Sequence, residues 1–218
     1  MMRLINAKPS PFGRKVAIAL LEKDVPFETT WDEPWGPDTR VRDFNPLAQL
    51  PILIADDGEV AFESTYMLEW IERRFPDPPL LPRDDDGFLE AKRLMVVVEG
   101  VMTAIASAAT ELRRETPSAA WLDRQRDKIT RGSEWLAQQI GDNLYAVRDS
   151  FGQADIAIGA VLTSLTYTRE AFGLHIEEVP WRERLPSLAR YVDRLEERSS
   201  FRATQPQMMN VDVAGLVG

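Results

Sequence analysis

The run Pro76-Asp77-Pro78-Pro79 constrains the fold more than any other stretch, because the hydrophobic pattern changes across it. Before it, short strand-like runs alternate with helical spacing. After it no strand-like alternation survives, and apolar residues recur at three- and four-residue steps. Such a chain is expected to fold as an α/β domain followed by an all-α domain.

In the first half, Leu4 to Asn6 reads as a strand, Pro11 to Glu22 as a helix with Val16, Ile18, Leu20 and Leu21 apolar, and Phe27 to Trp31 as a second strand. A helical crossover makes those two strands parallel. Asp32 to Asn45 is broken by Pro34, Gly36 and Pro37, leaving room only for a short helix around Thr39 to Phe44. Pro51 to Ala55 and Glu59 to Phe62 flank Asp56-Asp57-Gly58, a hairpin signal, and a helix from Ser64 to Phe75 closes the order βαβαββα. Leu80 to Asp86 reads as a linker in which Pro82 and three aspartates do not pack a core. Asp84-Asp85-Asp86 lacks spaced partners for a metal and reads as a solvated helix entrance. The expected division is a first domain over 1–78, a linker over 79–86, a helical domain over 87–208 and a tail over 209–218. Within the helical domain the pattern predicts helices over Phe88 to Glu115, Ala119 to Ile140, Asp155 to Phe172 and Leu185 to Arg198, the third apolar almost all round and therefore central.

Composition excludes several chemistries. A net charge of -9 argues against a nucleic-acid partner, which needs a basic face. With no cysteine there is neither a disulfide nor a sulfur nucleophile from the chain, and His175 as the sole histidine excludes a His-based zinc site. His175 itself reads as a helix-end residue. The longest uncharged apolar-rich run, Ile156 to Thr168, falls short of the roughly 20 residues that cross a bilayer. No signal-peptide core lies between Arg3 and Lys8, so a cytoplasmic protein with no membrane partner is expected.

Where the first strand stops, Lys8-Pro9-Ser10-Pro11-Phe12-Gly13-Arg14-Lys15-Val16 begins a helix. Ser10 is a preferred N-cap and Pro11 suits the first helical position, so the serine oxygen belongs where backbone N–H groups and the positive end of the helix dipole converge. That place stabilises an anion, although a Ser-Pro helix start also occurs as plain structure.

Three stretches together resemble bacterial glutathione S-transferases. The first is Ser10-Pro11-Phe12 with Arg14-Lys15-Val16, followed by Leu21-Glu22-Lys23 and Val25-Pro26-Phe27-Glu28. The second is Asn45-Pro46-Leu47-Ala48-Gln49-Leu50-Pro51-Ile52-Leu53, then Glu63-Ser64 and Arg73-Arg74-Phe75-Pro76. The third is Phe151-Gly152-Gln153-Ala154-Asp155-Ile156-Ala157 with Ser200-Phe201-Arg202-Ala203-Thr204-Gln205-Pro206. The resemblance implies a thioredoxin-like N-terminal domain, an all-helical C-terminal domain, a homodimer, glutathione as co-substrate, no metal, and transfer of glutathione to a small hydrophobic electrophile.

It also implies roles. Leu50-Pro51 is expected to be a cis peptide with the Leu50 backbone pairing the cysteinyl unit of glutathione, although Pro51 also suits the start of an edge strand. Ser64, read as the N-cap of its helix, receives the γ-glutamyl carboxylate and Glu63 the ammonium, while Gln49 contacts the glycyl end. As a bare N-cap, Ser64 needs no ligand. Ser10 donates a hydrogen bond to the glutathione sulfur and favours the thiolate. Arg14 either adds positive potential near that sulfur or is an exposed structural residue, and Met95, Met102 and Tyr167 have the character of a pocket wall or of core. Gly152 stands where relatives cap a helix with Ser or Thr, and Asp155 reads as structural. Two alternatives stand beside the transferase reading: a catalytically silent relative acting through protein contacts, like stringent starvation protein A, and a glutathione-dependent reductase or peroxidase.

Overall fold

A computed structural model describes the backbone of residues 1–36, 38–172 and 179–207, and their side chains except those of 167–172. His175, the Tyr167 side chain and the expected tail lie outside the described residues. The first half is β1 (Met2–Asn6), α1 (Pro11–Glu22), β2 (Phe27–Trp31), a short 3-10 turn (Val41–Asp43), β3 (Ile52–Ile54), β4 (Val60–Phe62) and α2 (Ser64–Arg74). The strands form one mixed sheet in the order β2-β1-β3-β4. β1 and β2 run parallel, as the crossover requires, and β3 and β4 pair antiparallel about Gly58, whose φ of 89° suits glycine.

Two apolar layers fix the sheet. Leu4, Leu53 and Ala61 belong to the main core, which also holds Val16 and Leu20 of α1 and Leu68 and Ile71 of α2. Ile5 and Ile52 join a smaller cluster with Val41, packed by Phe44, Leu50, Val60 and Phe62. The irregular segment contributes the buried Val41 and Asn45, and its expected short helix is a 3-10 turn over Val41–Asp43.

The second half is α3 (Asp85–Glu111), α4 (Ala119–Ile140), α5 (Gln153–Phe172), α6 (Trp181–Arg184), α7 (Pro186–Glu196) and α8 (Ser199–Ala203). Asp84 caps α3 through a 2.9 Å bond to the Gly87 N–H, so the aspartates do form a helix entrance. The run before it differs from expectation. Leu80 is buried, because Glu72 accepts its N–H at 3.1 Å and its carbonyl accepts the Gln153 N–H at 2.7 Å.

The helix expected over Leu185 to Arg198 is α7 alone. The α6 turn packs Trp181 ahead of it, and α8 follows it after a break. α5 begins at Gln153, two residues earlier than expected. Asp155 supplies the returning half of a capping box there, accepting the Gly152 N–H at 2.8 Å, and also accepts the Ala146 N–H at 2.8 Å and the Tyr191 hydroxyl at 2.5 Å. Burial raises the Asp155 carboxyl, and these three donors pull it back.

Length and composition would let α3, rather than Ile156 to Thr168, cross a membrane. In the fold Ala91, Leu94, Val98 and Val101 of α3 are core, and so are Met95 and Met102.

Candidate functional site

The strand register gathers the six sequence-selected residues at one end of the sheet. Ile5 pairs with Ile52, and Ile52 with Phe62. Ser10 follows the end of β1, Gln49-Leu50-Pro51 precede β3, and Glu63-Ser64 follow β4, so all emerge beside one another. A cavity of about 260 Å³ along Pro79 to Asp84 and an open depression of about 490 Å³ around Glu22 and Arg198 include none of the six.

Ser10 is the N-cap of α1, with its Oγ accepting the Gly13 N–H at 3.3 Å and its carbonyl accepting the Arg14 N–H at 3.0 Å. The hydroxyl accepts from the helix and keeps its own proton to donate. The approach is tight: a Cβ on Gly13 would lie 1.7 Å from the Asn6 Oδ1, which itself accepts the Ala7 N–H at 2.8 Å. Only glycine lets the first turn of α1 close onto the end of β1.

Gln49 is exposed, Leu50 half-buried and Pro51 buried; the Leu50-Pro51 bond is cis, and Leu50 lies outside the β3 ladder. Asn45 shapes this loop from within, its side chain donating to the Gln49 carbonyl at 2.8 Å and accepting the Leu47 N–H at 2.9 Å, while Ala48 takes a φ of 53°.

At α2 the expected cap moves by one residue. Glu63, not Ser64, is the N-cap: its carboxylate accepts the Thr65 and Tyr66 N–H groups, each at 3.0 Å, and its carbonyl accepts that of Met67 at 2.9 Å. Two amides reached by one carboxylate outweigh the usual preference of serine for a cap. Ser64 becomes the first helical residue and is 2% exposed, so its hydroxyl does not face outward. Its N–H is then the first-turn donor with no acceptor among the described residues. Glu63 holds φ 69° and ψ 115°, a conformation costly for a side chain with a Cβ and of the kind that clusters at ligand sites.

Arg14 is neither exposed nor aimed at Ser10. It is buried, bonded to Glu196 at 2.8 Å and to the Phe201 carbonyl at 3.2 Å. Lys15 is buried beside it and bonded to Glu99 and Thr65. Among the described residues no cluster of His, Asp and Glu is arranged to hold a metal.

The glutathione S-transferase N-terminal domain family matches residues 9–74, and the C-terminal domain family of the same name matches residues 119–194. The chain is a glutathione S-transferase family member. A glutathione S-transferase from Methylobacterium radiotolerans, solved in complex with glutathione sulfonate, is 43% identical, with 96% of this chain and 97% of that one covered at a TM-score of 0.89. One from Methylobacillus flagellatus with glutathione bound is 30% identical, with 95% and 100% covered at 0.86. Among curated relatives, the uncharacterized GST-like protein YibF of Escherichia coli is 34% identical over 94% of this chain and 98% of its own. A stringent starvation protein A homolog from Coxiella burnetii is 28% identical over 94% and 91%.

In this family member the sequence reading missed four residues that hold the loops: Asn6, Asn45, Lys15 and Glu99. The Asn at the end of an apolar strand and the Asn-Pro before a loop were visible signals. The Lys15–Glu99 pair spans 84 positions and left no local trace.

Proposed function

We propose that the protein is a glutathione transferase in which Ser10 donates a hydrogen bond to the glutathione sulfur and favours its thiolate for attack on a small hydrophobic electrophile. The α1 dipole adds to that bond. A thiol whose ordinary pKa is about 8.5 is then ionised more fully at neutral pH. Gln49 takes the glycyl end, and the Leu50 backbone pairs with the cysteinyl unit beside Pro51. Glu63 faces the γ-glutamyl ammonium, and the open Ser64 N–H receives the carboxylate. The observation that carries this reading is the convergence of all six residues at one end of the sheet, around a Glu63 in a costly backbone conformation. Glutathione is bound in the Methylobacillus flagellatus relative, which supports the same co-substrate here. We take the working protein to be a cytoplasmic homodimer serving detoxification, and the division at 78 and 86 to separate its glutathione-binding and helical domains.

The test is calorimetric titration with glutathione of the unsubstituted protein, Ser10→Ala and Ser64→Ala. Saturable binding is expected, with Ser10→Ala mainly lowering the thiolate absorbance in the ultraviolet. Ser64→Ala, which keeps the N–H, is expected to weaken binding only modestly. No binding up to millimolar glutathione overturns the reading and favours the alternative of a role in protein contacts.

A further inference from the structure

Arg14 and Lys15 are neighbouring cations in a helix whose residues from Gly13 to Leu20 are all buried. Arg14 turns toward α7 and α8, whereas Lys15 turns beneath the first turn of α2. The Lys15 side chain is 0% exposed, and its ammonium lies 3.3 Å from the Thr65 Oγ1 and against the Glu99 carboxylate of α3. Thr65 closes the triangle by donating its hydroxyl to the same Glu99 oxygen at 2.9 Å. Thr65 is also the residue whose N–H is held by Glu63. Burial lowers the Lys15 pKa, while the charges of Glu99 and Glu63 oppose that shift.

The charge balance at the start of α2 gives this cluster a purpose. Two carboxylates, Glu63 and Glu99, already stand there, in a chain of net charge -9. A ligand carboxylate arriving at the Ser64 N–H would be a third. Lys15 is the buried cation that touches this turn, and it balances the local charge from below.

We propose that Lys15 is a positioning residue for the carboxylate-receiving end of the site: it holds Thr65, and with it the Glu63-Ser64 turn, and offsets the two acidic side chains so that a ligand carboxylate is accepted. Because the other arm of Lys15 is Glu99 of α3, recognition by the first half of the chain depends on the docking of the second. This inference rests on the glutathione reading above.

The experiment compares glutathione with γ-aminobutyryl-cysteinylglycine, which lacks the γ-glutamyl α-carboxylate, by calorimetric titration of the unsubstituted protein, Lys15→Met and Lys15→Arg. Removing a charge at this range is expected to weaken glutathione binding about tenfold or more. Affinity for the decarboxylated analogue is expected to stay within about twofold, and Lys15→Arg to recover part of the loss. Should Lys15→Met fail to fold, the double substitution Lys15→Met with Glu99→Leu leaves neither charge unpaired and keeps the local net charge while removing both groups that hold Thr65, so it is expected to show a smaller loss for glutathione than that expected of Lys15→Met, again with the decarboxylated analogue within about twofold. Equal weakening for both ligands, or none for either, overturns the role of Lys15 while leaving the glutathione site standing. Absence of saturable glutathione binding by the unsubstituted protein overturns both.

Discussion

Replacing Glu196 by alanine tests how α1 is anchored to the helical half. Glu196 accepts Arg14 at 2.8 Å, Thr163 at 2.5 Å and Gln205 at 2.5 Å, so three segments meet on one carboxylate. The Arg14 side chain is 3% exposed, and its Nε and Nη1 have no acceptor among the described residues. Besides Glu196 the guanidinium has the Phe201 carbonyl at 3.2 Å and the Phe201 ring at 5.4 Å. Removing one partner of a buried pair costs about 3–5 kcal/mol, since the other charge stays buried. Glu196 is 21% exposed, which lets water take over part of its role and puts the expected loss at the lower end, about 3 kcal/mol. For a chain of this size that lowers Tm by about 6–12 °C. The assay is urea unfolding followed by circular dichroism, with a thermal scan beside it. Arg14→Met combined with Glu196→Leu removes both charges and is expected to recover most of the loss, to within about 1 kcal/mol of the unsubstituted protein. A loss below about 1 kcal/mol for Glu196→Ala, the size of an exposed ion pair, would refute the reasoning.

Gly13→Ala drives a methyl group into Asn6, and overpacking of this kind is expected to cost about 2–3 kcal/mol in urea unfolding and to weaken glutathione binding through the displaced Ser10. Asp155→Ala leaves the Gly152 and Ala146 N–H groups and the Tyr191 hydroxyl without their acceptor, with an expected loss of about 3 kcal/mol or more by calorimetry. Glu22 supplies a pH dependence. Burial by itself would raise its carboxyl, but the hydrogen bonds from Arg198 and Ser200 and the charge of Arg198 outweigh burial and hold it below the ordinary glutamate value. The unfolded chain therefore binds the proton more readily. The contribution of Glu22 is full above the ordinary glutamate range and is lost as pH falls through the lower folded-state value. Glu22→Gln should flatten that acid limb in unfolding free energies measured from pH 6 downward, and an unchanged slope would refute the assignment.

What the sequence reveals and what it hides follow from how local each cause is. The period-two strands, the Asp-Gly hairpin and the Ser10 cap are set within a few residues, and the observed bounds of α1, β2 and α4 coincide with expectation. The α2 cap does not, because cap preference ranks serine first and carries no record of two amides converging on the preceding glutamate. Leu80 sits in a proline-rich run that reads as linker, and its burial comes from Glu72 on one side and Gln153 on the other. Arg14 reads as exposed or as a source of positive potential, since the acids that neutralise Arg14 and Lys15 lie 182 and 84 positions away. At the candidate site the six selected residues stand in short motifs, as do Asn6 and Asn45, whereas the Lys15–Glu99 pair beneath the start of α2 is set by partners 84 positions apart.

The opposed directions of Arg14 and Lys15 restrict how this molecule can be rearranged by recombination. A hybrid that joins residues 1–78 to the helical half of another family member inherits two buried cations whose counterions residues 1–78 do not encode. Such a hybrid needs an acid supplied at the places of Glu99 on α3 and Glu196 on α7, or apolar residues at 14 and 15 in exchange. The unit that can be swapped intact is therefore not the domain. It is that stretch together with the side chains beyond it that its charged groups need, Glu99 on α3, Glu196 on α7 and, for Glu22, Arg198 ahead of α8.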